Sequence, residues 1–138
     1  MDAQPTAVVA ETTTWPEFPA LWPRLLDEVW TAVRTSGWIA AGRNVMLYLD
    51  DAGKVEIGVE AAGVFEPVGR VVPSTLPAGR VATAMHRGSY ARIGSAHDAV
   101  VAWCDEHGVE RTGVRWEVYG HATEREADQE VEVFYLLR

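Results

Sequence analysis

The sequence predicts an α+β domain in which a duplicated βαββ unit builds a single antiparallel sheet, with two helices on one face and a ligand cleft on the other. Three observations lead there. Hydrophobic periodicity changes from strand-like to helix-like and back in the same order twice along the chain. The two halves align at one constant offset of 71 residues, that between the helix-ending glycines Gly37 and Gly108. Finally, 138 residues suit one domain, long enough to bury a core without disulfides or metals.

The elements follow in order. Residues 1–6 read as a loose tail, and the threonine-rich, β-branched segment 7–14 reads as a strand that Trp15-Pro16 breaks. Residues 18–36 form a helix, because Leu21, Leu25, Leu26, Val29, Trp30 and Val33 share one face. Pro19 and Pro23 sit in its opening turns, where a missing N–H costs least, and Gly37 is placed to cap its end. Strands 44–49 and 54–61 flank the turn Asp50-Asp51-Ala52-Gly53 and make a hairpin. Residues 63–78 are the expected linker, and its apolar Val64, Phe65, Val68, Val71 and Val72 pack it on the domain. The order then repeats: strand 79–85, helix 93–107 with Ile93, Ala96, Val100, Val101 and Cys104 on one face, then strands 114–119 and 130–137. The first repeat thus covers 7–62 and the second 79–138, within one domain spanning 1–138.

At the offset of 71, Asp27 falls on Asp98, Val29 on Val100, Met46 on Glu117 and Tyr48 on Tyr119. After a longer second hairpin, Val55-Glu56-Ile57 matches Val131-Glu132-Val133. Neither half closes a core alone, since each has one helix and open sheet edges. Joined, they leave a concave seam of the kind that holds small molecules.

Composition narrows the partners. A net charge of −8 repels phosphate backbones and favours cationic ligands, so no nucleic-acid partner is expected. No segment is apolar for long enough to span a bilayer, and residues 1–10 lack the basic start of a signal peptide. One cysteine, Cys104, allows no internal disulfide, which fits a cytoplasmic location. An exposed sheet edge permits either a monomer or a homodimer.

Along Val114-Arg115-Trp116-Glu117-Val118-Tyr119, alternate side chains share a face. The apolar set Val114, Trp116 and Val118 suits the helix-packed side. Glu117 and Tyr119 then point into the cleft, where their counterparts Met46 and Tyr48 meet them. A carboxylate among aromatic rings and a methionine suits a lipophilic cation: the carboxylate offsets its charge, ring faces attract it, and Met adapts to its shape. Spacing alone leaves equal room for Glu117 as a solvated edge residue or as the partner of Arg115 or Arg80.

Three elements in order carry a resemblance: Ala84-Met85-His86-Arg87-Gly88-Ser89-Tyr90, a helix with Val101-Ala102-Trp103, and Trp116-Glu117-Val118-Tyr119, before the closing strand 131–137. This H-x-G-x-Y, helix-tryptophan and W-E-x-Y series resembles the GyrI-like family, which includes the effector-binding domains of multidrug-responsive and AraC-type regulators. The resemblance covers the second half of the chain. It implies a duplicated βαββ fold and a central pocket for lipophilic, often cationic, compounds, with the family's pocket glutamate at Glu117 and its neighbouring tyrosine at Tyr119. The sequence departs from the family after W-E-x-Y: the longer, charged Gly120-His121-Ala122-Thr123-Glu124-Arg125-Glu126 replaces a short turn with Asp-Pro. No helix-turn-helix segment precedes the domain in this sequence, so a stand-alone member is expected.

The remaining residues divide between wall and core. Trp38 is expected to line the pocket, Trp15, Trp22 and Phe65 are candidate wall residues, and Tyr90 packs beneath it. Trp103, Trp116 and Cys104 read as core. His86, His97, His107 and His121 show no metal-ligand spacing, so no metal and no cofactor are expected. The leading expectation is binding of a lipophilic aromatic compound, cationic ones included, for sensing, sequestration or resistance. The first alternative is a hydrolase of cyclopropane-bearing alkylating natural products, a known activity of the family, with Glu117 activating water and Tyr119 assisting the leaving carbonyl. The second is a protein-interaction inhibitor of the gyrase type.

Overall fold

The structure, a computed structural model, describes residues 1–36, 40–62, 65–121 and 123–138. Its elements run β1 (Gln4–Thr12), α1 (Phe18–Ser36), β2 (Ala40–Tyr48), β3 (Lys54–Ala62), β4 (Val72–Leu76), β5 (Val81–Arg87), α2 (Gly94–His107), β6 (Arg111–Tyr119) and β7 (Glu130–Leu137). One antiparallel sheet has the order β4-β1-β3-β2-β6-β7-β5. Both halves show the same connectivity: strand, helix, then a hairpin whose second strand pairs back with the first. The halves meet where β2 pairs with β6.

Each helix exists to cover an apolar stripe. Leu25, Val29 and Ala32 on α1, and Ala96, Val100 and Cys104 on α2, recur at helical spacing and are buried. Gly108 ends α2 in the left-handed conformation, φ 65°, as a C-terminal glycine does. The expected cap Gly37 lies outside the described residues.

Strand register decides which face the helices cover. Val9, Ile57, Met46, Glu117, Val133 and Ala84 stand opposite one another in one row across the sheet, so all six point to one face. Helix α1 packs on Val9 and Ile57, and α2 packs on Val133 and Ala84. Both helices therefore cover the face that carries Glu117. This corrects the expectation of a cleft opposite the helices: the cleft opens between them, on their own side of the sheet.

The other face buries itself. Strands β4 and β5 occupy opposite edges of the sheet, yet only residues 77–80 join them. That link spans at most roughly 18 Å, whereas a flat seven-stranded sheet would hold its edges roughly 29 Å apart. The sheet must curl, and its concave back fills with Val8, Val45, Leu47, Leu76, Trp116 and Val118. Trp116 is fully buried and stacks on Phe134 with ring centroids 5.5 Å apart. The apolar set of β6 thus lines this second core and not the helix-packed side, while Trp116 remains a core residue as expected. Gly58 shows how closely the strands approach: a Cβ there would come within 1.9 Å of the Ala7 carbonyl oxygen.

Two further expectations change. The expected linker 63–78 contains strand β4, which pairs with β1; its Pro73 and short length disguise it, and Pro is tolerated because β4 is an edge. Trp103 is 46% exposed and not core, stacked on His107 at 4.3 Å. Cys104 is fully buried. Among the described residues no helix is long and apolar enough to cross a membrane.

Candidate functional site

A cavity of about 380 Å³ opens between α1, the start of α2 and the β2–β6 seam, within the usual range for small-molecule sites. Phe18, Trp22 and Leu26 of α1 form one wall, and Tyr90 and Ile93 form the facing one. Asn44, Met46, Tyr48, Glu117 and Tyr119 make the floor. The period-two alternation of β2 and β6 raises these floor side chains from one sheet face. Because Met46 and Glu117 stand directly opposite across the seam, the floor is centred on that pair.

Glu117 is only 4% exposed. Its Oε1 accepts hydrogen bonds from the Tyr48 hydroxyl at 2.7 Å and the Tyr119 hydroxyl at 2.9 Å. Its Oε2 lies 2.6 Å from Nε2 of His97, whose Nδ1 lies 2.7 Å from the Tyr135 hydroxyl. Burial is the main force pushing the Tyr48 and Tyr119 phenols well above their ordinary value, and the Glu117 charge adds to it. Burial also raises Tyr135. All three hydroxyls therefore keep their protons across the physiological range, and two of them donate to the carboxylate.

The walls hold these donors in place. Tyr48 packs edge-on against Phe18 at 5.7 Å and at a tilt against Trp15 at 6.0 Å. The Arg115 guanidinium lies 5.4 Å from the centre of the Tyr48 ring. Tyr90 meets Tyr119 edge-on at 5.2 Å. Trp30 donates to the Asn44 side chain at 2.9 Å, fixing another part of the rim.

The structure decides between the readings of Glu117 that spacing left open. The residue is neither solvated nor paired with Arg115 or Arg80. Arg115 instead bonds Asp51 at 2.9 Å, and among the described residues Glu117 meets two phenols and an imidazole.

Of the expected ligand-binding residues, Glu117, Tyr119, Met46, Tyr48, Tyr90 and Trp22 come together around the cavity. Tyr90 is 38% exposed and forms wall rather than underlayer. Phe65 is buried in the core cluster beneath α1 and is not among the described lining residues. Trp38 lies outside the described residues.

Sequence reasoning missed His97, Tyr135, Phe18, Leu26, Asn44 and Ile93. Metal-ligand spacing gives no signal for His97, although it lies four residues after Ile93 on the helical stripe. The offset of 71 gave a second signal, since it pairs Leu26 with His97 and Trp22 with Ile93. Among the described residues, no group of three or more His, Cys, Asp or Glu is placed to hold a metal ion.

Comparison with known proteins agrees with this architecture. The GyrI-like small molecule binding domain matches residues 1–138. The crystal structure of the EcmrR C-terminal domain superposes with a TM-score of 0.82 at 15% identity, covering 100% of this chain and 93% of that one. SAV2435 bound to tetraphenylphosphonium gives 0.71 at 12% identity, with 100% and 90% covered. A hydrolase from Listeria innocua gives 0.62 at 9% identity, with 99% and 88% covered. No curated protein matches the chain by sequence. At these identities the solved structures show the shared fold.

Proposed function

Since the chain belongs to the GyrI-like small-molecule-binding family, we propose that its cleft binds a lipophilic aromatic cation, for sensing, sequestration or resistance. One observation carries this reading: a carboxylate only 4% exposed sits on the floor of an aromatic-walled cavity. A buried carboxylate is costly unless a charge or good donors compensate it, and a cation held against it supplies that charge. Ring faces of Tyr48, Tyr90, Tyr119 and Trp22 attract a cation through their quadrupoles and bury its apolar surface. Met46, unbranched and polarisable, accommodates ligands of unlike shape. SAV2435, of the same fold, is a protein bound to such a cation.

The test is a tryptophan-fluorescence titration, to which Trp22 on the cavity wall contributes. Tetraphenylphosphonium and the neutral triphenylphosphine oxide serve as a charged and an uncharged probe. Glu117→Gln keeps the shape and removes the charge. It should weaken the cation about tenfold, close to 1.4 kcal/mol, and leave the neutral probe nearly unchanged. Equal weakening of both removes the charge argument.

A second reading has its own support in the 2.6 Å contact between Glu117 and His97. A carboxylate–imidazole pair can take a proton from water, as hydrolysis of a cyclopropane-bearing alkylator requires. Water addition would raise the substrate mass by one water, and mass spectrometry would detect it. Stoichiometric binding without any such product sinks the hydrolase.

A further inference from the structure

We infer that His97 sets the charge selectivity of the cleft: the Glu117–His97 pair holds one proton as the site's own counter-charge, and a cationic ligand binds by displacing it. The inference rests on the cation-binding reading above and adds the exchange that makes it possible.

The geometry leads there in steps. Glu117 is buried, and its polar contacts among the described residues are two phenols and one imidazole. The phenols are neutral donors. A carboxylate stripped of water and faced only by neutral donors is poorly compensated. One proton more than a neutral imidazole and a carboxylate hold between them supplies the missing charge: Oε2 and Nε2, 2.6 Å apart, share one hydrogen, and Nδ1 carries another towards Tyr135. Whether it is drawn as imidazolium with carboxylate or as imidazole with carboxylic acid, the pair binds one proton and carries no net charge.

Tyr135 fits both states of the pair. Its oxygen accepts from a protonated Nδ1, and its hydroxyl donates to a bare one, at the same 2.7 Å. The hydrogen bond therefore survives when the proton leaves. The other titratable and charged groups facing the pair are Tyr48 from β2, Arg115 and Tyr119 from β6, and Tyr90 from the turn before α2. Arg115 is engaged by Asp51, and Arg111 by Asp105. Asp98, beside His97 on α2, and Arg111 act on the pair's neighbour Tyr135 only through space. None of these groups makes a hydrogen bond to the Glu117 carboxylate except Tyr48 and Tyr119.

A lipophilic cation entering the cleft brings a positive charge to the same carboxylate. It then repels the proton held on His97. One cation enters, one proton leaves to solvent, and the charge around Glu117 is unchanged. His97 becomes neutral, with Nε2–H donating to Glu117 and Tyr135 donating to Nδ1. A neutral aromatic ligand offers no replacement charge, so it binds without releasing the proton.

Linkage fixes the size of the effect. Releasing one proton raises the cation affinity tenfold per pH unit over the range in which the free pair holds the proton and the bound pair does not, with a plateau above that range. The test is calorimetric titration of tetraphenylphosphonium into the full chain, in two buffers of unlike ionisation heat, across about pH 5 to 8, where imidazoles ordinarily titrate. The expected result is release approaching one proton per cation at the acid end, falling towards none at the alkaline end. Triphenylphosphine oxide should show no release, and His97→Gln should bind the cation without release and without the pH slope. Cation binding by the natural sequence with no release anywhere in that range overturns the inference while leaving the proposed function standing. An unchanged release in His97→Gln overturns it as well. Absence of cation binding at every pH overturns the proposed function itself. The proton count on the natural sequence decides the matter even if the variant does not fold.

Discussion

The two halves of the cleft occupy equivalent positions and do different chemistry. At the offset of 71, Leu26 stands where His97 stands, Trp22 where Ile93 stands, Met46 where Glu117 stands and Tyr48 where Tyr119 stands. The tyrosines are the same in both halves, and both donate to Glu117. The other pairs differ: the first half supplies Leu26 and Met46 as apolar wall and floor, and the second supplies the imidazole and the carboxylate. The seam register explains why charge appears on one side only. Met46 and Glu117 are directly opposite, so a carboxylate at both positions would set two like charges against each other in a buried site.

The strongest way to break this asymmetry is Met46→Glu. Two facing carboxylates share space for one charge, so folding stability at pH 7 should fall by about 3 kcal/mol, with part of the loss recovered at pH 5. Urea unfolding at the two pH values measures it. A variant as stable as the natural sequence at pH 7 would show that the seam tolerates charge in both halves.

The two tyrosines sharpen the comparison at a smaller scale. Tyr48→Phe and Tyr119→Phe each remove one hydrogen bond to the same carboxylate oxygen and should each cost about 1.5 kcal/mol. Similar losses would mean that the halves contribute equal donors. If one substitution were neutral, Glu117 would depend on a single half.

Arg43 gives the smallest effect. It ties the halves to each other, bonding Glu60 of the first at 2.9 Å and Glu132 of the second at 3.2 Å. Burial pushes the Glu60 carboxyl up, but hydrogen bonds from the Arg43 side chain and amide outweigh it and hold the carboxyl below its ordinary value. A depressed carboxyl stabilises the fold above the ordinary carboxylate range, and that stability is lost as pH falls through the folded value. Arg43→Ala should therefore cost about 0.5–1 kcal/mol at neutral pH and progressively less in acid. A cost independent of pH would assign the effect to packing of the arginine stem.

Much of the fold was legible because its signals are local. Helix α1 is legible with its observed bounds from a six-residue apolar stripe, and β7 with its bounds as the closing strand of the second repeat. Strand β4 was missed because five residues with an internal proline carry little periodicity, and only pairing with β1 makes them a strand. The membership of Glu117, Tyr119, Met46 and Tyr48 in one site was legible from the offset and the period of two. His97 was not, because its partner lies twenty residues away on another element.

The sequence by itself determined the order of the elements, the equivalence of the halves and which side chains share a strand face. These depend on spacing along the chain, which backbone geometry converts directly into direction. Only the tertiary structure decided which sheet face the helices cover. Trp116 and its neighbours look like a helix-packed surface, since a hydrophobic stripe records that it will be buried but not against what. The four-residue link between the edge strands curls the sheet around that stripe. The opposite face, with Glu117 at its centre, is left to the helices and to the cleft between them.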